Sequence, residues 1–187
     1  MLPWESPEAR SANVEIFRHI RKSLDEANLE LGKLRGEAPD AIGTGRRFSH
    51  LMAIAPNASS SIIMGNTSPS VEPYRANAYR QDTLSGAYLN KNKFLDNIIK
   101  ERCPDEDDYN EAWSSIIAND GSVQHLGILN DREMATFKTS MEIDQRWIVE
   151  HAADRQNYVD QAQSINLFFR PDAVSYTHLR AHETRRY

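Results

Sequence analysis

The run Leu51-Met-Ala-Ile-Ala55, closed by Pro56, limits the fold more than any other part of the chain. Consecutive apolar residues read as a buried strand, and proline, which has no N–H to offer a ladder, ends it. Asn57, Ser59, Ser60 and Ser61 follow, then Ile62, Ile63 and Met64. Small hydroxyl and amide side chains ahead of an apolar run are N-cap chemistry. A strand feeding a capped helix start leaves backbone N–H groups pointing outward, where the helix dipole adds partial positive charge. Such a turn suits a phosphate or a carboxylate. The same pattern also serves as a plain strand–turn–helix connection with no ligand.

Ahead of this turn, Ser11 or Asn13 is expected to cap a long helix reaching Arg35. Val14, Phe17, Ile20, Leu24, Ala27, Leu31 and Leu34 recur three or four apart and predict one buried stripe. Gly36 is a C-cap candidate. Gly43-Thr-Gly45 marks a turn, and Arg46, Arg47 and His50 read as a solvated loop, although they stand near enough in sequence to approach a phosphate. Beyond the turn, residues 74–92 read as irregular or short-stranded, with Ser85-Gly86 as punctuation. Phe94, Leu95, Ile98 and Ile99 predict a short helix stopped at Cys103-Pro104. Tyr109, Trp113, Ile116 and Ile117 predict the buried face of the next helix, closed by Asn119-Asp-Gly121. Its acidic start, Asp105 to Asp108, favours the helix dipole and lacks the alternating ligands and glycine turn of a calcium loop. Asn130 with Glu133 forms a capping-box pattern ahead of Met134, Phe137 and Met141. A last helix carries Ile143, Trp147, Ile148 and His151, the histidine read as structural. Ile165, Leu167 and Phe169 alternate as a strand would.

Several strings, in order, resemble the large catalytic subunit of class I ribonucleotide reductases. They are Glu26 to Asp40, Pro56 to Ser60, Gly65-Asn66, Glu72-Pro73-Tyr74, then Asn77, Tyr79, Leu84-Ser85-Gly86 and Asn90, and finally Asp160-Gln-Ala-Gln-Ser-Ile-Asn166. Arg46-Arg47-Phe48-Ser49-His50 departs from the family pattern, which carries an Asn where Arg47 or Phe48 stands. The resemblance covers roughly residues 10–173. It implies an α/β fold, a helix-rich fragment of the family's ten-stranded α/β barrel. It also implies that the Pro-x-x-Ser-Ser loop holds the phosphates of a ribonucleoside diphosphate. In that role Pro56 would set the turn, Ala58 would let the backbone approach, and Asn57, Ser59 and Ser60 would donate hydrogen bonds.

The family replaces the ribose 2′-hydroxyl with hydrogen through a cysteine thiyl radical, with a cysteine pair supplying electrons. Those cysteines lie upstream of the part that this chain resembles. The fragment is therefore expected to hold no catalytic residue, no metal and no cofactor, and to be inactive alone. Cys103 matches none of the family's cysteines and reads as a small buried residue. The resemblance further implies a large-subunit homodimer and a small subunit whose metal centre generates the radical. Nucleoside triphosphate effectors and a thioredoxin- or glutaredoxin-type reductant complete the expected set.

Composition excludes some alternatives. A single cysteine allows no internal disulfide and fits a reducing, cytoplasmic setting. A net charge of −5 opposes a broad nucleic-acid face. The absence of any long apolar run opposes a membrane span, and the N-terminal residues lack signal-peptide character. A non-catalytic phosphate- or nucleotide-binding module is the alternative function, and a helical interaction protein with no ligand is a third.

Residues 174–187 stand apart. Where the family continues to a strand with a Tyr-Tyr pair that relays the radical, this chain reads Val174-Ser-Tyr-Thr-His-Leu-Arg-Ala-His-Glu-Thr184 and then Arg-Arg-Tyr. The peptide is similar to translated read-through of a sequencing-library adapter. The expected division is residues 1–173 as a partial catalytic barrel domain and 174–187 as a non-native tail. His178 and His182 then form no metal site, and two ligands are in any case too few for a structural zinc. Re-reading the source DNA across codon 173 with a different library chemistry is expected to reveal a frame that continues into a Tyr-Tyr strand. Recovery of codons 174–187 followed by a stop would instead favour the non-catalytic module.

Overall fold

In the computed structural model, Ser6 begins the first helix, α1 (Pro7–Arg35), five residues earlier than Ser11. The Ser6 hydroxyl accepts from the Ala9 N–H at 3.1 Å and donates to the Pro3 carbonyl at 2.7 Å. Pro7 fits the first helical position because its missing N–H would have no intrahelical partner there. Gly36, at φ +81°, ends the helix as expected. The structure describes residues 1–65, 68–83 and 86–169. These fall into two compact units. One is Met1–Glu72 with Arg146–Ile165; the other is Pro73–Gln145 with Asn166–Tyr187, described to residue 169.

The apolar stripe expected on α1 is only partly buried. Val14, Phe17, Leu24 and Leu31 are half-buried, Ala27 is exposed, and Leu34 is 72% exposed. The residues fully covered are Asn28 and Gly32. The Asn28 amide donates to the Phe48 carbonyl at 2.9 Å and accepts from the Phe48 N–H at 2.7 Å. Gly32 lies against the Gly45 carbonyl so closely that a Cβ there would overlap it. A polar, close-packed face thus holds the segment 37–50 against α1. Within that segment the Glu37 carboxylate accepts the Gly43 N–H at 2.7 Å and the Gly45 N–H, closing the expected turn.

Helix α2 is short (Ala58–Ile63). Leu51–Ala55 does not form the buried strand expected of it. It is an extended segment with one parallel bridge, Ile54 to Gln163, and none of its residues is buried. Ile165, Leu167 and Phe169 likewise form no strand, and Leu167 and Phe169 are exposed. Parallel strands depend on neighbours along both edges and on helices over their faces, and here the described residues supply a single bridge.

The last helix of the first unit, α6 (Gln145–Gln156 as a whole), begins after Ile143 rather than including it. Arg10 of α1 grips Asp154 with two hydrogen bonds, at 2.7 and 2.9 Å, and Glu150 at 3.0 Å. His151 is structural, as its sequence context suggests. Its Nε2–H donates to the Trp4 carbonyl at 3.0 Å, and its ring lies 4.7 Å from that of Trp4 and 6.1 Å from that of Trp147.

In the second unit, residues 74–92 resolve into an antiparallel hairpin of β1 (Ala78–Thr83) and β2 (Gly86–Lys91), paired from Ala78–Lys91 to Thr83–Gly86. Leu84 and Ser85 lie outside the described residues. The Asn77 amide secures the hairpin base, donating to the Gly121 and Phe137 carbonyls at 3.0 and 2.8 Å and accepting from Asn92 at 2.9 Å. Helices α3 (Lys93–Arg102), α4 (Glu106–Ala118) and α5 (Asp131–Thr136) follow, the last with the expected Asn130–Glu133 capping box. Leu95, Ile99, Trp113, Ile116, Val123 and Phe137 form the core, with Cys103 buried at its margin. Ile117, expected on the buried face, is 46% exposed because Trp113 and Ile116 set the inward direction of α4.

Lys91 joins the hairpin to α4. Its ammonium donates to the Tyr109 hydroxyl at 3.0 Å and lies 4.5 and 4.9 Å from the Tyr109 and Trp113 ring centroids. Burial, with the bond to Asp96 at 2.7 Å, pushes the Tyr109 phenol up to about 12.

Burial pushes the His151 imidazole below its usual value of 6.5, outweighing the Trp4 carbonyl. The charges of Arg155 and Arg10 act in the same direction, and that of Asp154 opposes them. A depressed folded-state value favours the neutral ring, so its contribution is full above 6.5 and is lost as pH falls through the folded value. The urea midpoint is expected to fall between about pH 7 and pH 5 more steeply for the native chain than for His151→Gln. Equal slopes would remove His151 as the cause.

Candidate functional site

The expected site residues lie together at the start of α2, in the first unit. Pro56 ends the extended segment 51–55. The Asn57 N–H donates to the Pro69 carbonyl at 3.0 Å, and the Asn57 carbonyl accepts from Ser61 at 2.8 Å to open the helix. The Ser60 carbonyl accepts from the Met64 N–H at 2.9 Å. Pro56, Asn57, Ser59 and Ser60 are exposed, whereas Ser61 is buried. The side-chain role expected of Ala58 lies outside the described residues, as do Asn66 of the Gly65-Asn66 string and His178 and His182. The first N–H groups of a helix have no intrahelical acceptor, and in α2 these belong to Ala58, Ser59 and Ser60.

Ile63 and Met64, part of the apolar run Ile62–Met64 that follows the cap residues, are 85% and 71% exposed. Among the described side chains of α2, Ser61 is the buried one.

The extended segment leading to the turn is held mainly by residues 160–164. The Asp160 carboxylate accepts the Leu51 N–H at 3.0 Å and the Met52 N–H at 2.9 Å. Main-chain bonds continue the pairing: Gln161 N–H to Met52 at 3.2 Å, Ile54 N–H to Ala162 at 3.1 Å, and Ser164 N–H to Ile54 at 2.8 Å. Arg21 of α1 reaches Asp160 at 3.1 Å while also holding Asp25. Burial would raise the Asp160 carboxyl, but the Met52 and Leu51 hydrogen bonds and the Arg21 charge outweigh it and hold the group low.

Behind this layer is a buried cation. Arg155 is 2% exposed; its Nε donates to Gln163 Oε1 at 2.6 Å, and its Nη2 has no hydrogen-bond partner. Burial lowers its pKa and the charge of buried Glu72 opposes that shift. Gln163 completes the link by donating to the Ala152 carbonyl at 2.9 Å and to Gln156 at 2.6 Å.

The basic residues upstream are engaged elsewhere. Arg46 approaches Asp25 at 3.9 Å, Arg47 reaches the last carbonyls of α1 at 3.4 and 3.5 Å, and His50 pairs with Ser49 at 3.1 Å. Sequence reasoning missed the roles of Asp160, Arg155 and Gln163. The available signal was the dense polar string 160–166, which carried the resemblance but no assigned work. Among the described residues, no group of three or more His, Cys, Asp or Glu side chains is arranged to hold a metal. No helix among them is long and apolar enough to cross a membrane.

Comparison with known proteins points to one family. The family model for the ribonucleotide reductase barrel domain matches residues 38–185, a range that runs past Ala173. The chain is 57% identical over 173 residues to the ribonucleoside-diphosphate reductase large subunit of Invertebrate iridescent virus 6, covering 91% of this chain and 18% of that protein. It is 56% identical over 179 residues to the counterpart from Invertebrate iridescent virus 3, covering 95% of this chain and 28% of that protein. The chain therefore spans well under a third of these relatives. In structure it resembles the Actinobacillus ureae class Id ribonucleotide reductase alpha subunit with a TM-score of 0.80 and 40% identity, over 97% of this chain and 33% of that one.

The Arg155–Gln163 pair makes a sharp stability prediction. Gln163→Leu strands the Arg155 Nε and is expected to cost about 2–4 kcal/mol in urea denaturation. Arg155→Met combined with Gln163→Leu is expected to cost less than Gln163→Leu alone, because the stranded charge is removed too. A double variant weaker than the single would contradict this account.

Proposed function

The chain belongs to the ribonucleotide reductase barrel-domain family, and from that premise we propose that it is part of a ribonucleoside-diphosphate reductase large subunit whose Pro56–Ser60 turn holds the substrate's phosphates. The observation that carries the site assignment is the exposed turn itself. The Pro56, Asn57, Ser59 and Ser60 side chains are open to solvent at the first turn of α2, and the main chain on both sides is tied down. A ring of N–H groups and hydroxyls binds a diphosphate through many short donors and needs no adjacent lysine.

On this reading the complete subunit closes the ten-stranded α/β barrel, of which this chain supplies one part. It reduces ribonucleoside diphosphates to deoxyribonucleotides for DNA synthesis, in the cytoplasm. The radical comes from a metal-containing small subunit, electrons from a thioredoxin- or glutaredoxin-type protein, and control from nucleoside triphosphate effectors acting on a large-subunit homodimer. The similarity to viral ribonucleoside-diphosphate reductase large subunits supports the activity, and the likeness to a class Id alpha subunit supports the fold. These residues contribute substrate binding; the radical chemistry belongs to the rest of the subunit. The boundary near Ala173 rests on the tail's likeness to adapter read-through, and the family match to residue 185 is the observation against it.

Phosphate is common to every substrate, so its loss should not depend on the base. Ser59→Ala with Ser60→Ala in the complete subunit is expected to raise KM for each ribonucleoside diphosphate about tenfold or more, two hydrogen bonds to a charged group being removed. Unchanged KM values for all of them would sink the assignment.

A further inference from the structure

We propose that Asp160 is a positioning residue for the substrate's phosphates: it fixes the path of the main chain into the Pro56–Ser60 turn without touching the ligand. The proposal rests on the phosphate-site reading above and extends it to a residue more than a hundred positions away in sequence.

The geometry separates Asp160 from an ordinary surface carboxylate. Its Oδ1 accepts the Met52 N–H at 2.9 Å, and its Oδ2 accepts the Leu51 N–H at 3.0 Å and the Arg21 guanidinium at 3.1 Å. Asp160 therefore takes the place of a neighbouring strand where the pairing of 51–54 with 161–164 begins. Three main-chain bonds carry that pairing through Ile54, two residues before Pro56. On the far side, the Asn57 N–H is fixed to Pro69. The turn is thus suspended between two anchors, and the carboxylate is the only one of its side-chain supports that carries charge among the contacts described. Diphosphate binding by backbone amides is sensitive to their direction, and a displacement of about 1 Å weakens every donor together. A fault at Asp160 would then appear in substrate affinity for every base and not in the chemistry of the ribose.

The test uses the complete subunit with its small subunit and reductant. Asp160→Asn keeps one acceptor but loses the charge and the second carboxylate oxygen. It is expected to raise KM about fivefold for every ribonucleoside diphosphate, leave kcat within about twofold, and leave triphosphate effector affinity unchanged. A merely structural role would lower the active fraction, reducing kcat with KM unchanged, and that result would overturn the proposal. If Asp160→Asn yields no folded subunit, Arg21→Gln leaves both N–H acceptors in place and is expected to raise KM about twofold, again for every base; an unchanged KM would overturn the proposal. Running the Ser59→Ala, Ser60→Ala pair alongside separates the two failures. A KM rise in that pair without one in Asp160→Asn removes the positioning role alone. No rise in either removes the phosphate site itself.

Discussion

The first unit depends on a carboxylate standing in for a strand. Asp160 accepts two successive main-chain N–H groups from Leu51 and Met52, and the pairing of 51–54 with 160–164 follows from that clamp. A single parallel bridge is too little ladder to hold two extended segments. Charge-assisted hydrogen bonds are stronger than neutral ones and fix direction as well as distance, so the acidic side chain supplies what the missing ladder would. Arg21 and Asp25 tie the clamp to α1, and Arg10 with Asp154 ties α1 to α6. The order of the unit comes chiefly from polar connections between elements that share little apolar contact.

The same economy appears on α1. Its best-covered positions are an asparagine and a glycine, not the leucines. Asn28 replaces a main-chain partner for Phe48 at both N–H and carbonyl, and Gly32 removes the side chain that would keep Gly45 away. Leu34, Ile16 and Leu29 stay exposed on the same helix. Arg155 belongs to this pattern as well. A guanidinium almost wholly covered is costly without partners, and Gln163 accepts from its Nε while the charge of Glu72 favours its ionised form.

The second unit follows a different rule. It has an apolar core, and its polar residues serve as stitches at the base of the hairpin, where Asn77 and Asn92 satisfy main-chain groups that no ladder reaches. Lys91 lays its ammonium over two aromatic rings while donating to the Tyr109 hydroxyl, so one side chain links hairpin and helix through both charge and packing.

Local chemistry alone determined several helix ends, although not the starts of α1 and α6. Gly36, the Asn130–Glu133 box, the stop at Cys103-Pro104 and the Asn119-Asp-Gly121 closure all lie where their residue types place them, because caps depend on neighbours within a few positions. The helical turn at Pro56–Ser60 was legible for the same reason, and the ordered strings carried the family. What the sequence could not decide was burial and partnership. The run 51–55 looks like a strand, yet a strand exists only with neighbours, and whether Ile63 or Ser61 turns inward depends on what packs above α2. The place of Asp160 was invisible because its contacts are with residues far away in sequence. Tertiary structure alone brings a carboxylate to the N–H groups of Leu51 and Met52, since nothing in the local pattern of either segment encodes the other.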